Sequence, residues 1–167
     1  MPLIKDSDFI DETFTRIEDD SALPDGPVMI PLARLLAQAD DLRSRNAPLG
    51  VIVHATQDGK AKQGEDIRTL APYLDMVSCV ALDFPVYRNG RGFSSARILR
   101  EELGFTGDIR ATGDVLYDQW AFMQRCGINV FEVAEVVTLA QFAEAMGEMS
   151  EVYQPAADGR TAVPWRR

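Results

Sequence analysis

Cysteine and histidine are scarce in this 167-residue chain. It has two cysteines, Cys79 and Cys126, and a single histidine, His54. The cysteines form no C-x-x-C motif, and with one histidine they cannot supply a familiar four-ligand zinc site, so no metal site is expected. Positive charge is also short: 17 Lys and Arg stand against 26 Asp and Glu, a formal net charge of −9. That balance opposes general binding of nucleic acid or of anionic membranes. No apolar run approaches the length of a membrane span, and the N-terminus lacks the charged-then-apolar pattern of a secretory signal. A soluble protein of a reducing compartment is expected, with the bacterial cytoplasm as the expected location. There is no Walker lysine motif.

Apolar residues make up 46% of the chain, enough for one domain with a full core. Met1 to Gly26 reads as an acidic N-terminal arm, with Phe9-Ile10 and Phe14 to Ile17 as short edge strands or a hairpin, and a possible partner contact. Residues 27–155 read as a single α/β domain, and residues 156–167 as a loose tail. Within the domain, apolar strands at Val28–Ile30, Leu49–Val53, Met76–Leu82, Asp108–Thr112 and Asn129–Val133 alternate with segments of helical periodicity. Thr138 with Gln141 makes a capping box for the last helix, and Pro72 shortens or kinks an earlier one. Val152-Tyr153 reads as a last short strand. Five or six βα units with a mainly parallel sheet are therefore expected. The arrangement is either half-(βα)8-barrel-like or open and doubly wound, and the compact, even spacing leans towards the first. In either case ligands belong at the carboxyl ends of the strands.

One stretch stands apart. From Asp83 to Arg100 the chain runs DFPVYRNGRGFSSARILR, with Arg88, Arg91, Arg97 and Arg100 and no acidic residue before Glu101. It reads as the end of a strand, a turn holding Gly90 and Gly92, and a helix entered at Ser94 or Ser95. Cations near a helix N-terminus cost roughly 0.3–1 kcal/mol each when exposed. Arginines gathered there imply a negatively charged ligand, held by guanidinium forks and first-turn N–H groups. Arg88, Asn89, Arg91, Ser94, Ser95 and Arg97 are accordingly the candidate anion-binding residues. For Arg97 and Arg100 a solvated helix face paired with Glu101 or Glu102 is an equal reading.

Polar residues also fall at strand ends: His54, Asp83, Thr112 with Asp114, and Glu132. His54 and Asp83 are the candidate catalytic pair, as general acid and base, although His54 could be a merely hydrogen-bonded histidine and Asp83 a turn cap. Asp114 reads as the cap of a helix beginning at Val115. Cys79, among apolar neighbours, reads as core, and Cys126 lies at a helix C-terminus, where the dipole raises a thiol pKa. Gly90-Arg-Gly92-Phe-Ser-Ser95 superficially matches a dinucleotide fingerprint. Residues 84–89 separate it from the strand, however, so no cofactor is evident and NAD(P) keeps only weak support.

The segments DFPVYRNGRGFSSARILREELGFTG, IRATGDVLYDQ and MQRCGINVFEV resemble a bacterial family of unknown function. Its members are commonly described as oxidoreductases involved in sulfite reduction and are often encoded beside the assimilatory sulfite reductase haemoprotein. The resemblance runs from about Pro27 to Val152 and is densest from Asp83 to Glu132. It implies a place in sulfur assimilation, and it carries over no catalytic residue. The expectation is an accessory protein of sulfite reduction that binds a small oxyanion or a partner such as the haemoprotein. The alternatives are a small oxidoreductase or other enzyme with a phosphate or nicotinamide site at the strand ends, and a pure interaction module. The exposed edges of a half-barrel would also allow a homodimer.

Overall fold

The computed structural model of the chain describes residues 1–55 and 64–163. Five short apolar runs form parallel strands: β4 (Val28–Pro31), β5 (Leu49–Val53), β6 (Val77–Phe84), β7 (Asp108–Gly113) and β8 (Val130–Glu132). Three further strands precede them: β1 (Leu3–Lys5), β2 (Asp8–Ile10) and β3 (Thr15–Arg16). The eight strands make one sheet in the order β2-β1-β8-β7-β6-β5-β4-β3. Helices follow β4, β6, β7 and β8: α1 (Leu32–Leu42), α2 (Arg91–Arg97), α3 (Trp120–Arg125) and α4 (Leu139–Gly147). A 3₁₀-helix at Ile67–Tyr73, which contains Pro72, follows β5. The architecture is the α/β fold that the alternation of elements predicts.

Topology decides between the two expected arrangements. β2 and β3 lie at opposite edges of the sheet, yet only Asp11 to Phe14 connects them. At about 3.3–3.6 Å per residue, so short a link holds the two edges within roughly 17 Å. Eight strands at about 4.8 Å spacing would be far wider than that if flat. The sheet must curl, and it forms a half-barrel.

The N-terminal residues are therefore built into the sheet rather than hung from it as an arm. Asp6 (φ 52°) and Ser7 (φ 66°) form a tight two-residue turn between β1 and β2. Leu3 and Ile4 are buried where β1 pairs antiparallel with β8. The loose tail expected from residue 156 is likewise held through its described part. Arg125 donates to Asp158 and to the Gln154 carbonyl, and Arg160 to the carbonyls of Met149 and Ser150. Among the described residues Val152-Tyr153 forms no strand, and the Val163 N–H donates to the Val152 carbonyl.

The convex face carries the main core. Val80, Leu82, Phe84, Ile109, Ala111 and Phe131 from the strands pack with Leu35, Leu70, Leu99, Trp120, Met123 and Phe142 from the helical layer. The concave face is filled differently. Met29, Ile52, Cys79 and Ala81 form a small apolar patch covered by Phe14, from the segment that links the two edges. Beside it lies Arg110, 3% exposed. Glu12 from the same linking segment takes its guanidinium in two bonds of 2.6 and 3.0 Å. Burial by itself would raise the Glu12 pKa, but the bonds from Arg110 and from the Phe14 N–H outweigh it and hold the carboxyl below its ordinary range.

α2 begins at Arg91, three to four residues earlier than the Ser94 or Ser95 start expected from sequence. The reason is packing. Gly92 lies so close to the Phe84 ring that any β-carbon would overlap it, so the first turn can press onto the end of β6. The helix then loosens into a π turn at Ile98–Glu102 and stops at Gly104, whose φ of +65° suits glycine. α4 has the expected capping box, with Thr138 and Gln141 bonded reciprocally.

Two stability outcomes are expected. Gly92→Ala forces a β-carbon into the Phe84 ring and lowers stability by about 1–3 kcal/mol in denaturant titration, the usual cost of overpacking. Gly26→Ala, where a β-carbon meets nothing within 4 Å, is the neutral control. Glu12→Gln removes the charge facing buried Arg110 and costs about 1 kcal/mol at neutral pH, because Glu12 is itself half exposed and solvent screens the pair. Because the Glu12 pKa is depressed on folding, that contribution is present above the ordinary carboxylate range and is lost as pH falls through the folded value. The gap between wild type and Glu12→Gln should narrow in acid.

Candidate functional site

Strand register brings four polar residues into one row at the carboxyl end of the sheet. Val53 lies opposite Leu82, and Asp83 opposite Thr112. Ala111 lies opposite Phe131, so the next residues, Thr112 and Glu132, are also neighbours. His54, one residue past Val53, comes beside Asp83, with Nδ1 3.4 Å from Oδ2. Thr112 Oγ1 donates to Glu132 Oε2 at 2.7 Å. Arg16, on the far edge strand β3, reaches across the concave face to Thr112 (3.2 Å) and Glu132 (3.3 Å).

The His54–Asp83 contact is long for a hydrogen bond but has an electrostatic consequence. Bonding to Asp83 raises the His54 pKa above its ordinary value. Burial opposes the rise, and the charges of Glu65, Asp83 and Glu18 add to it. Glu65 also fixes the backbone here. Its carboxylate accepts the His54 N–H at 2.6 Å, and its own N–H donates to the His54 carbonyl at 3.1 Å. With Nδ1 turned to a carboxylate, Nε2 is left as the nitrogen that can meet a ligand.

The turn between β6 and α2 is clamped by its neighbours. The Tyr87 N–H donates to Asp114 Oδ2 (2.8 Å), and Gln119 Nε2 donates to the Tyr87 carbonyl (3.1 Å). Asp114 is thus a brace for this turn and caps no helix at Val115, since the next helical turn starts at Tyr117. Asn89, 9% exposed, accepts the Arg91 N–H through Oδ1. Arg88 stays close to its neighbour: Nε donates to Tyr87 Oη at 2.8 Å, and the guanidinium lies 5.2 Å from that ring centre.

Two hollows meet at this turn. A small recess of about 20 Å³ lies between β5, β6 and α2, lined by His54, Glu65, Asp83, Arg91, Gly92 and Ser95 among others. It holds one water or one oxygen atom. Outside it is a wide open groove of about 590 Å³, lined by Val86, Arg88, Asn89, Gly90, Arg91 and Ser94. Arg91 belongs to both. Among the described residues its side chain makes no hydrogen bond or ion pair.

Of the residues singled out from sequence, His54, Asp83, Arg91 and Ser95 thus surround the recess, and Arg88, Asn89, Arg91 and Ser94 the groove. Arg97 lines neither; it is paired with Glu101 one turn along, at 2.9 Å. Arg100 is a structural bolt, donating to the carbonyls of Phe105, Gly107 and Gly127 and to Asn129 Oδ1. Local sequence gives no sign of Glu65 or Arg16 as site residues. Each reaches the site by a return of the chain that no local spacing signals. Cys79 and Cys126 are buried, and burial pushes the Cys79 thiol up to about 11 and raises Cys126 as well. Among the described residues no three His, Cys, Asp or Glu side chains are placed to hold a metal ion, and no helix is long and apolar enough to cross a membrane.

Asp83→Asn should return the His54 pKa towards about 6.5, followed by NMR on the imidazole, which needs no assignment in a chain with one histidine. His54 is raised on folding, so its contribution to stability is complete below the ordinary histidine value and is lost as pH rises through the folded one. The wild type should lose that increment on the alkaline side and the variant should not. An unmoved titration in Asp83→Asn would show that the 3.4 Å contact carries no interaction.

A family model described as "Bacterial protein of unknown function" matches residues 60–164. No curated protein matches the chain.

Proposed function

The chain belongs to that bacterial family, DUF934, and from this premise we propose that it is an accessory protein of assimilatory sulfite reduction that binds a small oxyanion. Arg91 carries the reading. In a chain of net charge −9 it stands at the junction of the recess and the groove with no carboxylate on its guanidinium among the described residues. Of the arginines further along the helix, Arg97 is held by Glu101 and Arg100 by backbone carbonyls. A guanidinium with unused donors is the natural partner of a planar or tetrahedral oxyanion. Arg88 and the Ser94 hydroxyl supply a second cation and a neutral donor on the same groove, and Asn89 holds the turn that presents them.

The sulfur context comes from the resemblance of residues 83–132 to proteins described as oxidoreductases of sulfite reduction and encoded beside the haemoprotein of that pathway. On this reading the chain handles the anion, or docks to the haemoprotein, and needs no redox cofactor of its own. Gly92 is then a packing residue, since a β-carbon there would overlap the Phe84 ring.

A second reading is favoured by one observation, the 3.4 Å approach of His54 and Asp83 beside Arg91. It makes the site an enzyme centre, with His54 exchanging a proton with a substrate that Arg91 holds by a phosphate, carboxylate or similar anionic group, a nicotinamide cofactor included.

Calorimetric titration with sulfite, sulfate and phosphate tests the first reading. Arg91→Ala is expected to weaken binding tenfold or more, about 1.4 kcal/mol or greater, with Arg97→Ala unchanged. Equal affinity in wild type and Arg91→Ala removes the site. In cells, deleting the gene should slow growth on sulfate and not on cysteine; equal growth on both removes the pathway assignment.

A further inference from the structure

The recess has a charge problem that limits what can bind there. Among the described residues, the carboxylate-bearing Asp83 and Glu65 line it together with one permanent cation, Arg91. With His54 neutral, the inner site is net negative and repels an anion. With His54 protonated, one imidazolium and one guanidinium balance the two carboxylates, and Arg88 in the groove is surplus positive charge. Size adds a second limit. About 20 Å³ accepts one oxygen atom, so the body of any ligand must stay in the open groove.

From these limits, and resting on the oxyanion reading above, we infer that the site takes an oxyanion that seats one oxygen in the recess. The imidazolium of His54 is a binding group there beside Arg91. Asp83, on Nδ1, orients the ring so that Nε2–H points at that oxygen, as a carboxylate orients the imidazole in many sites where histidine meets a ligand. Ser95, on the wall opposite the strands, offers a hydroxyl donor to the same atom. The groups that set the charge of His54 are Asp83 from β6, Glu65 from the segment after β5, Glu18 from the segment after β3, and Arg91 from α2. Three of these four are acidic, and they favour the imidazolium over the neutral ring. No covalent step is required. The anion and one proton bind together, and both leave together as His54 deprotonates.

Sulfate is the probe, because it stays a dianion throughout the range in which histidine titrates and any pH dependence then belongs to the protein. Titration calorimetry from about pH 5.5 to about pH 8.5 brackets the ordinary histidine value. Wild-type affinity should be constant at the acid end and then fall by up to tenfold per pH unit above the His54 pKa. Saturating sulfate should move the histidine NMR titration to higher pH. His54→Gln should bind weakly with a flat profile, and Asp83→Asn should shift the fall to lower pH. Circular dichroism checks that both variants fold, and the wild-type profile tests the inference even where a variant does not. Sulfate binding in the wild type that depends on Arg91 but has a flat pH profile overturns this inference and leaves the oxyanion reading standing. The absence of sulfate binding at every pH overturns this inference, and the absence of sulfite and phosphate binding as well overturns both.

Discussion

A guanidinium sits almost fully buried on the concave face of a curled sheet, and that single fact constrains the rest of the chain. Leaving an unpaired cation in such a place costs several kcal/mol. No carboxylate on β7 neutralises Arg110; Glu12 does, from the four-residue link between the first strands and the third. To deliver Glu12, that link must cross the mouth of the sheet, and to cross it in four residues the two edges must approach each other. Phe14 enters on the same segment and covers Met29, Ile52, Cys79 and Ala81. Ion pair, apolar cover and curvature are thus one structural solution.

The site inherits its geometry from this curl. Parallel register alone would align His54, Asp83, Thr112 and Glu132 along the carboxyl ends of four neighbouring strands. Curvature brings Arg16 to the far end of that row and Glu18 within electrostatic range of His54. The helix side contributes the turn with Arg88 and Arg91, held by Asp114 and Gln119 from the next loop. A polar rim on a rigid parallel sheet, with one adaptable arginine above it, is how α/β architectures generally position ligands.

Much of this was legible in the sequence, for identifiable reasons. Leu49–Val53 is a continuous apolar run and Val77–Phe84 is mostly one, as strands of a sheet covered on both faces are. The Thr138–Gln141 capping box and the stop at Gly104 are local, so local sequence encodes them. What sequence could not yield depends on distant partners. The start of α2 at Arg91 follows from Gly92 meeting Phe84, and the role of Asp114 follows from Tyr87 lying beside it. Glu12 with Arg110 and Arg16 with Glu132 are separated by about a hundred residues, and although Phe9-Ile10 and Phe14 to Ile17 read as short strands, nothing local shows which distant strands and side chains they meet. Arg100 resembled a surface residue by charge, yet three carbonyls and an amide surround its head group.

The pairing of β1 with β8 has a consequence for how the protein assembles. Leu3 to Lys5 leave the ribosome more than a hundred residues ahead of their partners Val130 to Glu132. At about 5–20 residues per second, the opening segment waits several seconds or longer without the strand it completes. Meanwhile the βα units between can dock onto one another in the order they are made. Closure by the N-terminal strands is then a late, long-range event, and such high contact order is the feature that slows folding most in domains of this kind.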